Sequence, residues 1–212
     1  MTETAPPKSK LKLVRTLLWV LVALALIGTA ALLLLRRAPA DASPASSSPT
    51  ATQASFGGPF TLVGADGKPF ASSQLAGKPY AIFFGFTRCG DVCTTTLSRL
   101  AKLREQSGSA SALNIVFVTI DPKNDGPRQV GQYAELFNTP IIGLTGTQLQ
   151  IDQVKKQYGI FAEPDTSEGA HAGMINHTAT VLLFDDGGKF SGTISASEPD
   201  ADAVAKLKQL IA

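Results

Sequence analysis

The chain holds two cysteines among 212 residues, Cys89 and Cys93, four apart in the segment FFGFTRCGDVC that runs from Phe83 to Cys93. Such a pair can form a disulfide, hold a metal ion or exchange electrons with another protein's thiols. The last two uses need thiolate, which a helix N-terminus favours through its free N–H groups and dipole. A purely structural disulfide gains little here: closing a loop of about five residues constrains the unfolded chain by roughly 2 kcal/mol, against nearly 5 for a hundred-residue loop. Two histidines, His171 and His177, lie in or just after the segment EPDTSEGAHAGMIN, Glu163 to Asn176. Two thiolates and one imidazole fall short of the four protein ligands that close a structural zinc site. They suit copper, because thiolate favours Cu(I) and an added imidazole also holds Cu(II). They also leave open thiol–disulfide exchange, in which one thiolate attacks a target's disulfide and the other resolves the mixed disulfide.

The elements around these residues must bring them together. Lys78–Phe84 (KPYAIFF) and Asn114–Ile120 (NIVFVTI) are short apolar runs of the kind that form buried central strands. Between them Cys93, Leu97, Leu100 and Arg104 recur at helical spacing, which predicts a helix from Asp91 to about Ser107. Strand, helix and strand make a right-handed parallel unit. Cys89 then sits in the loop after the first strand and Cys93 in the first helical turn, so both sulfurs meet at the carboxyl edge of the sheet. An N-terminal hairpin is predicted from Pro59–Val63, the turn Gly64–Gly67 and Lys68–Phe70. Helices are predicted over Arg128–Phe137 and Thr147–Tyr158, the latter with a Thr147/Gln150 capping box. Thr178–Phe184 and Lys189–Ile194 flank Asp185-Asp186-Gly187-Gly188 as a second hairpin, and Asp200–Ile211 closes the chain as an amphipathic helix. The sum is an α/β domain over residues 56–212, three layers with a central mixed sheet in the thioredoxin arrangement. His177 directly precedes the strand predicted at Thr178, so it is expected to enter the sheet near the same edge.

Upstream of the domain, Thr16–Leu35 is twenty residues without a charge, long enough at about 1.5 Å per residue for the roughly 30 Å core of a bilayer. It reads as a single transmembrane helix. Lys8, Lys10, Lys12 and Arg15 precede it and only Arg36 and Arg37 follow, a bias that leaves residues 1–15 in the cytoplasm and the domain on the periplasmic side of the inner membrane. The rival, a cleaved signal peptide ending near Ala38-Pro39-Ala40, has an overlong apolar core and two arginines crowding its cleavage point. Residues 36–55 are dominated by Ala, Ser, Pro and Thr and read as a flexible tether. Residues 1–37 carry six of the nineteen Lys and Arg and one of the seventeen acids, so the remainder is near −3. A domain of that charge lacks the basic footprint of a nucleic-acid binder.

FFGFTRCGDVCTTTL resembles the aromatic-Gly-aromatic-Thr-x-Cys-Pro-Asp-x-Cys-Pro segment of the Sco/SenC proteins, membrane-tethered, thioredoxin-fold, copper-handling proteins associated with assembly of the CuA centre of cytochrome c oxidase. VTIDPKNDGP (Val118–Pro127) is similar to the family's Asp-Pro-x-x-Asp-x-Pro stretch, and NHTATVLLFDDGGKF (Asn176–Phe190) to its Asp-His-Ser strand. The resemblance implies that Cys89, Cys93 and His177 are copper ligands. It further implies that the protein is a carrier rather than an enzyme, passing Cu(I) or Cu(II) to an apo-cuproprotein such as cytochrome c oxidase subunit II. The alternative is a thiol–disulfide reductase acting on the cysteines of such a target; Cys-x-x-x-Cys is one residue longer than the usual redox spacing and exchange has no necessary use for His177, both of which favour copper. Either role needs a thiol reductant, because a Cys89–Cys93 disulfide cannot supply two thiolates. A peroxidase of the peroxiredoxin type lacks its Pro-x-x-x-Thr-x-x-Cys arrangement.

Asp91, Asp121 and Asp125 are candidate supporting residues. Asp91, between the cysteines, is placed to orient the loop or meet a partner, but the favoured expectation is that it caps the helix. Asp121 and Asp125 match the family's paired aspartates and either support the site from a neighbouring strand end or serve turn chemistry with Pro122 and Pro127. Four positions depart from the pattern. Gly90 and Thr94 stand where prolines are usual, which predicts a looser loop, and Asn176 and Thr178 replace Asp and Ser around the histidine. His171 and Met174 are expected in an ordinary mobile loop.

Overall fold

Six consecutive residues with no exposed side chain, YAIFFG, form the strand at the centre of the fold. The computed structural model describes residues 17–29, 56–108, 111–164 and 175–212. The chain divides into two units, Met1–Ala51 and Thr52–Ala212. In the first, residues 17–29 form a helix, α1, with its side chains exposed. The span predicted at 16–35 runs past this helix at both ends, outside the described residues, as do the cytoplasmic segment and the tether. Among the described residues no helix is long and apolar enough to cross a membrane.

In the second unit the order is β1 (Thr61–Gly64), β2 (Pro69–Ala71), a 3-10 turn (Ser72–Leu75), β3 (Tyr80–Gly85), α2 (Asp91–Gln106), β4 (Asn114–Thr119), α3 (Pro127–Glu135) and β5 (Ile142–Thr145). It continues with α4 (Gln148–Gln157), β6 (Ala162–Pro164), β7 (Ile175–His177), β8 (Val181–Phe184), β9 (Phe190–Ile194) and α5 (Asp200–Ile211). Seven strands make one sheet in the order β2-β1-β5-β4-β3-β8-β9. The β3–β4 and β4–β5 pairs are parallel and the rest antiparallel, so the sheet is mixed, as expected. β5 was not foreseen; it is four residues, one of them glycine, too short to announce itself by pattern.

Alternation along β3 divides the core. Tyr80, Ile82 and Phe84 face the side covered by α4 through Ile151, Val154 and Tyr158. Ala81 and Phe83 face the side covered by α2, α3 and α5, where Leu97, Val130 and Leu207 meet them. Helices on both faces give the three layers, and each large apolar side chain so buried stabilises the fold by about 1.5–3 kcal/mol. The Thr147/Gln150 capping box is present at the start of α4.

The chain enters this unit along a fixed path. Phe56 packs edge-on against Phe190 with centroids 4.5 Å apart, the Gly57 N–H donates to the Gln157 carbonyl at 2.9 Å, and the Tyr158 hydroxyl donates to the Gly58 carbonyl at 3.0 Å. Phe190 pairs with Phe184 and Phe184 with Tyr80, so the entry lies at the first residue of β3.

Candidate metal centre

β3 ends at Gly85, and the sequence immediately turns. The Cys89 N–H donates to the Phe86 carbonyl at 3.0 Å, which closes a β-turn with Thr87 and Arg88 at its centre. Cys89 emerges half-buried, whereas Cys93, the third residue of α2, is fully buried. The two are joined as a disulfide, with Cα atoms 5.9 Å apart. The glycine of the Phe-Gly-Phe run has a steric reason: a Cβ on Gly85 would lie 2.9 Å from Cys93 Sγ, and 3.1 and 3.2 Å from the Phe83 and Phe117 rings. The sulfur occupies the space that a side chain at 85 would take.

Asp91 does not cap the helix as expected. The N-cap is Gly90, and no side-chain cap bond forms. A capping oxygen must come from the residue before the first turn, and Asp91 is already its first member. Its exposed carboxylate contributes charge at the positive end of the helix dipole.

His177 reaches the sulfurs by a different route from the one predicted. The main-sheet strand starts at Val181, not Thr178. His177 instead ends β7, which pairs only with β6 in a separate two-stranded ribbon, Ala162 opposite His177. The polar run Asn176-His177-Thr178 explains the shift, because a central strand takes apolar residues on both faces. Thr178 fixes the end of the ribbon: its N–H donates to the Phe161 carbonyl at 3.0 Å, and its Oγ1 accepts the Phe161 N–H at 3.1 Å.

The imidazole is held in one tautomer. Nδ1 lies 3.0 Å from the Thr178 carbonyl. A carbonyl only accepts, so Nδ1 carries the proton and Nε2 keeps its lone pair. That lone pair lies 3.6 Å from Cys93 Sγ. The edges of Phe83 and Phe86 flank the ring, with centroids 6.2 and 5.9 Å away. Burial pushes the His177 pKa below its ordinary value, against a smaller opposing effect of the bond to Thr178. A neutral imidazole with a free Nε2 is the form that ligates metal. Asn176, on the alternate face of the strand, is exposed opposite Glu163.

Asp121 and Asp125 touch neither sulfur; they hold the turn that carries Cys89. The fully buried Asp125 accepts the Thr87 N–H at 2.8 Å, the Thr87 hydroxyl at 2.6 Å and the Thr119 hydroxyl at 2.7 Å. Thr145 donates to its main-chain carbonyl at 2.6 Å. Asp121 accepts from Arg88 Nη2 at 2.7 Å and from the Asn124 amide at 3.0 and 2.9 Å. Both readings of these aspartates thus meet in one arrangement, a turn of their own that supports the loop. Gly85, Arg88, Thr119 and Thr145 were not singled out from sequence. A cue was available for Arg88, a cation beside the first cysteine with two acids some thirty residues on, but nothing in the spacing says which of them it meets.

Cys89, Cys93 and His177 offer three ligand atoms within 4.8 Å of one another, the one such group of His, Cys, Asp and Glu among the described residues. His171 and Met174 lie outside those residues. With the sulfurs reduced, the group presents two soft donors and one borderline donor, a set that takes copper.

The sequence matches the SCO1/SenC family over residues 48–212. It is 31% identical over 159 residues to "Protein SCO2, mitochondrial" of Saccharomyces cerevisiae, a match covering 74% of this chain and 53% of that protein. The chain thus spans about half the length of that relative. Among solved structures, Bradyrhizobium japonicum ScoI with copper bound aligns at 32% identity and a TM-score of 0.65, covering 74% of this chain and 99% of that one. Arabidopsis thaliana ScoI with copper bound aligns at 28% identity and a TM-score of 0.67, covering 73% of this chain and 99% of that one.

Proposed function

Because the chain belongs to the SCO1/SenC family, we propose that it is a copper carrier that holds one ion through Cys89, Cys93 and His177 and passes it to an apo-cuproprotein. The CuA site of cytochrome c oxidase subunit II is the first candidate acceptor. The observation that carries the reading is the convergence of the three donors, with His177 already neutral and its Nε2 3.6 Å from Cys93 Sγ. Loading requires reduction: the disulfide takes two electrons and two protons from a thiol reductant, which is itself oxidised to a disulfide. The thiols then lose their protons as the metal binds. Transfer proceeds by ligand exchange, and the half-buried Cys89 is the sulfur a partner meets first. In this reading residues 16–35 anchor the protein in the inner membrane, residues 36–55 tether it, and the domain works on the periplasmic side; the charge bias across the apolar segment supports that orientation.

A second reading, thiol–disulfide exchange on the acceptor's cysteines, draws support from the joined cysteines. Copper stoichiometry and the Cu(II) absorption spectrum of the reduced protein separate the two. One retained ion, with a thiolate-to-copper charge-transfer band that is lost in Cys89→Ser and Cys93→Ser and altered in His177→Ala, is the carrier result. Copper binding unchanged in all three variants would sink the three-ligand site. No retained copper in the parent protein would shift the assignment to exchange.

A further inference from the structure

We propose that Arg88 is a positioning residue that governs how readily Cys89 lets go of the metal; the inference rests on the copper-carrier reading. Thr87 and Arg88 are the two central residues of the turn that delivers Cys89, and each grips one aspartate of the 121–125 turn. The two grips belong to one ring of hydrogen bonds. Arg88 donates to Asp121, the Asp121 N–H donates to Thr119 Oγ1 at 3.0 Å, the Thr119 hydroxyl donates to Asp125, and Asp125 accepts from Thr87. The Asp125 N–H donates to the Asp121 carbonyl at 2.9 Å and ties the acidic turn together.

The halves of the ring differ in access. Asp125 is 0% exposed and has no route to open without disturbing the core. The Arg88 side chain is 58% exposed and its partner Asp121 10%, so this link is within reach of water, salt and an approaching protein. The chain after Cys89 adds little restraint, since Gly90 has no side chain, makes no side-chain cap bond, and its carbonyl accepts a long bond from the Thr94 hydroxyl at 3.4 Å. Cys93 is fixed in its helix and His177 by Thr178. Of the three ligands, Cys89 therefore has the most freedom, and Arg88 is the openable contact that limits it.

The test follows copper transfer from the reduced, Cu(I)-loaded protein to excess bicinchoninate, by the absorbance of the chelate, for the parent, Arg88→Ala and Asp121→Ala. Both single variants should release copper about 1.5-fold to fivefold faster, the scale of one partly exposed ion pair. Raising NaCl to about 1 M should speed the parent toward the variants and leave them nearly unchanged, because screening weakens an accessible pair. Equal release by parent and Arg88→Ala overturns the clamp while leaving the carrier intact. Faster release by Arg88→Ala but not by Asp121→Ala also overturns it, because the guanidinium then acts on the metal by charge alone. A parent that retains no copper removes the carrier reading and this inference with it.

Discussion

Replacing Gly85 by alanine probes the seat of Cys93 from beneath. The new Cβ would stand 2.9 Å from Cys93 Sγ and 3.1 and 3.2 Å from the Phe83 and Phe117 rings. Non-bonded heavy atoms settle at about 3.5–4.0 Å, so the sulfur must withdraw by about 0.6 Å or more and the rings by about 0.3 Å. Cys93 is no free end: it is buried in the first turn of α2, and its movement drags that turn. Overfilling a packed core costs about 1–3 kcal/mol. Removing a glycine from the unfolded chain returns about 0.4–1 kcal/mol, which leaves a net loss of about 1–2 kcal/mol. For a domain of this size that is roughly 2–8 °C in Tm. The displaced sulfur also changes its distance to Nε2 of His177, so the Cu(II)–thiolate band should shift. Gly192→Ala is the matched control, because a Cβ there has nothing within 4 Å. Thermal unfolding and the absorption spectrum are measured on both variants. If Gly85→Ala melts with Gly192→Ala and keeps the parent's band, the argument that the glycine makes room for the sulfur is wrong.

Asp125→Ala leaves the Thr87 N–H and the Thr119 hydroxyl without their acceptor, and urea unfolding should show a loss of about 2–4 kcal/mol. Thr178→Val removes the acceptor of the Phe161 N–H while keeping the shape; it should cost about 1 kcal/mol and, by loosening His177, lower copper affinity about tenfold in a chelator competition. The pH dependence of the disulfide-bonded, metal-free protein has a definite sign. Burial places the folded pKa of His177 below the unfolded value of 6.5, so the unfolded chain takes up that proton first. The stability this residue contributes is complete above pH 6.5 and is lost as pH falls through the folded value. Urea unfolding of the parent and of His177→Gln across that range should show the extra decline in the parent alone.

The parts of the site written in local pattern were legible. The helical spacing from Cys93 to Arg104 gave α2 to within a residue, and the apolar runs gave β3 and β4 as parallel neighbours. The placement of both cysteines followed from those elements. His177 was located near the sulfurs, but its carrier was misread: the apolar strand that follows it seemed to begin at Thr178, whereas the β6–β7 ribbon depends on pairing with residues 162–164. Asp91 looked like a cap because it is the acidic residue nearest the helix start; it is the first helical residue, and Gly90 takes the N-cap position. The ring through Arg88, Asp121, Thr119, Asp125 and Thr87 was beyond reach, since it joins residues more than thirty positions apart through side-chain geometry that no periodicity encodes.

Phe56 enters beside Phe190 at the Tyr80 end of β3, while Cys89, Cys93 and His177 gather past Gly85 at its other end. The five steps from Tyr80 to Gly85, at about 3.3 Å each, separate the two by roughly 17 Å of strand. Whatever grips the protein ahead of Phe56, be it a bilayer, a resin or a fused domain, therefore holds it by the handle and leaves the sulfurs at the working tip. On the proposed carrier role, immobilisation or fusion at the N-terminal side should cost metal exchange nothing, whereas bulk attached at Val92 or Phe161, both more than half exposed and next in the chain or ribbon to Cys93 and His177, should stand in the way of an approaching acceptor.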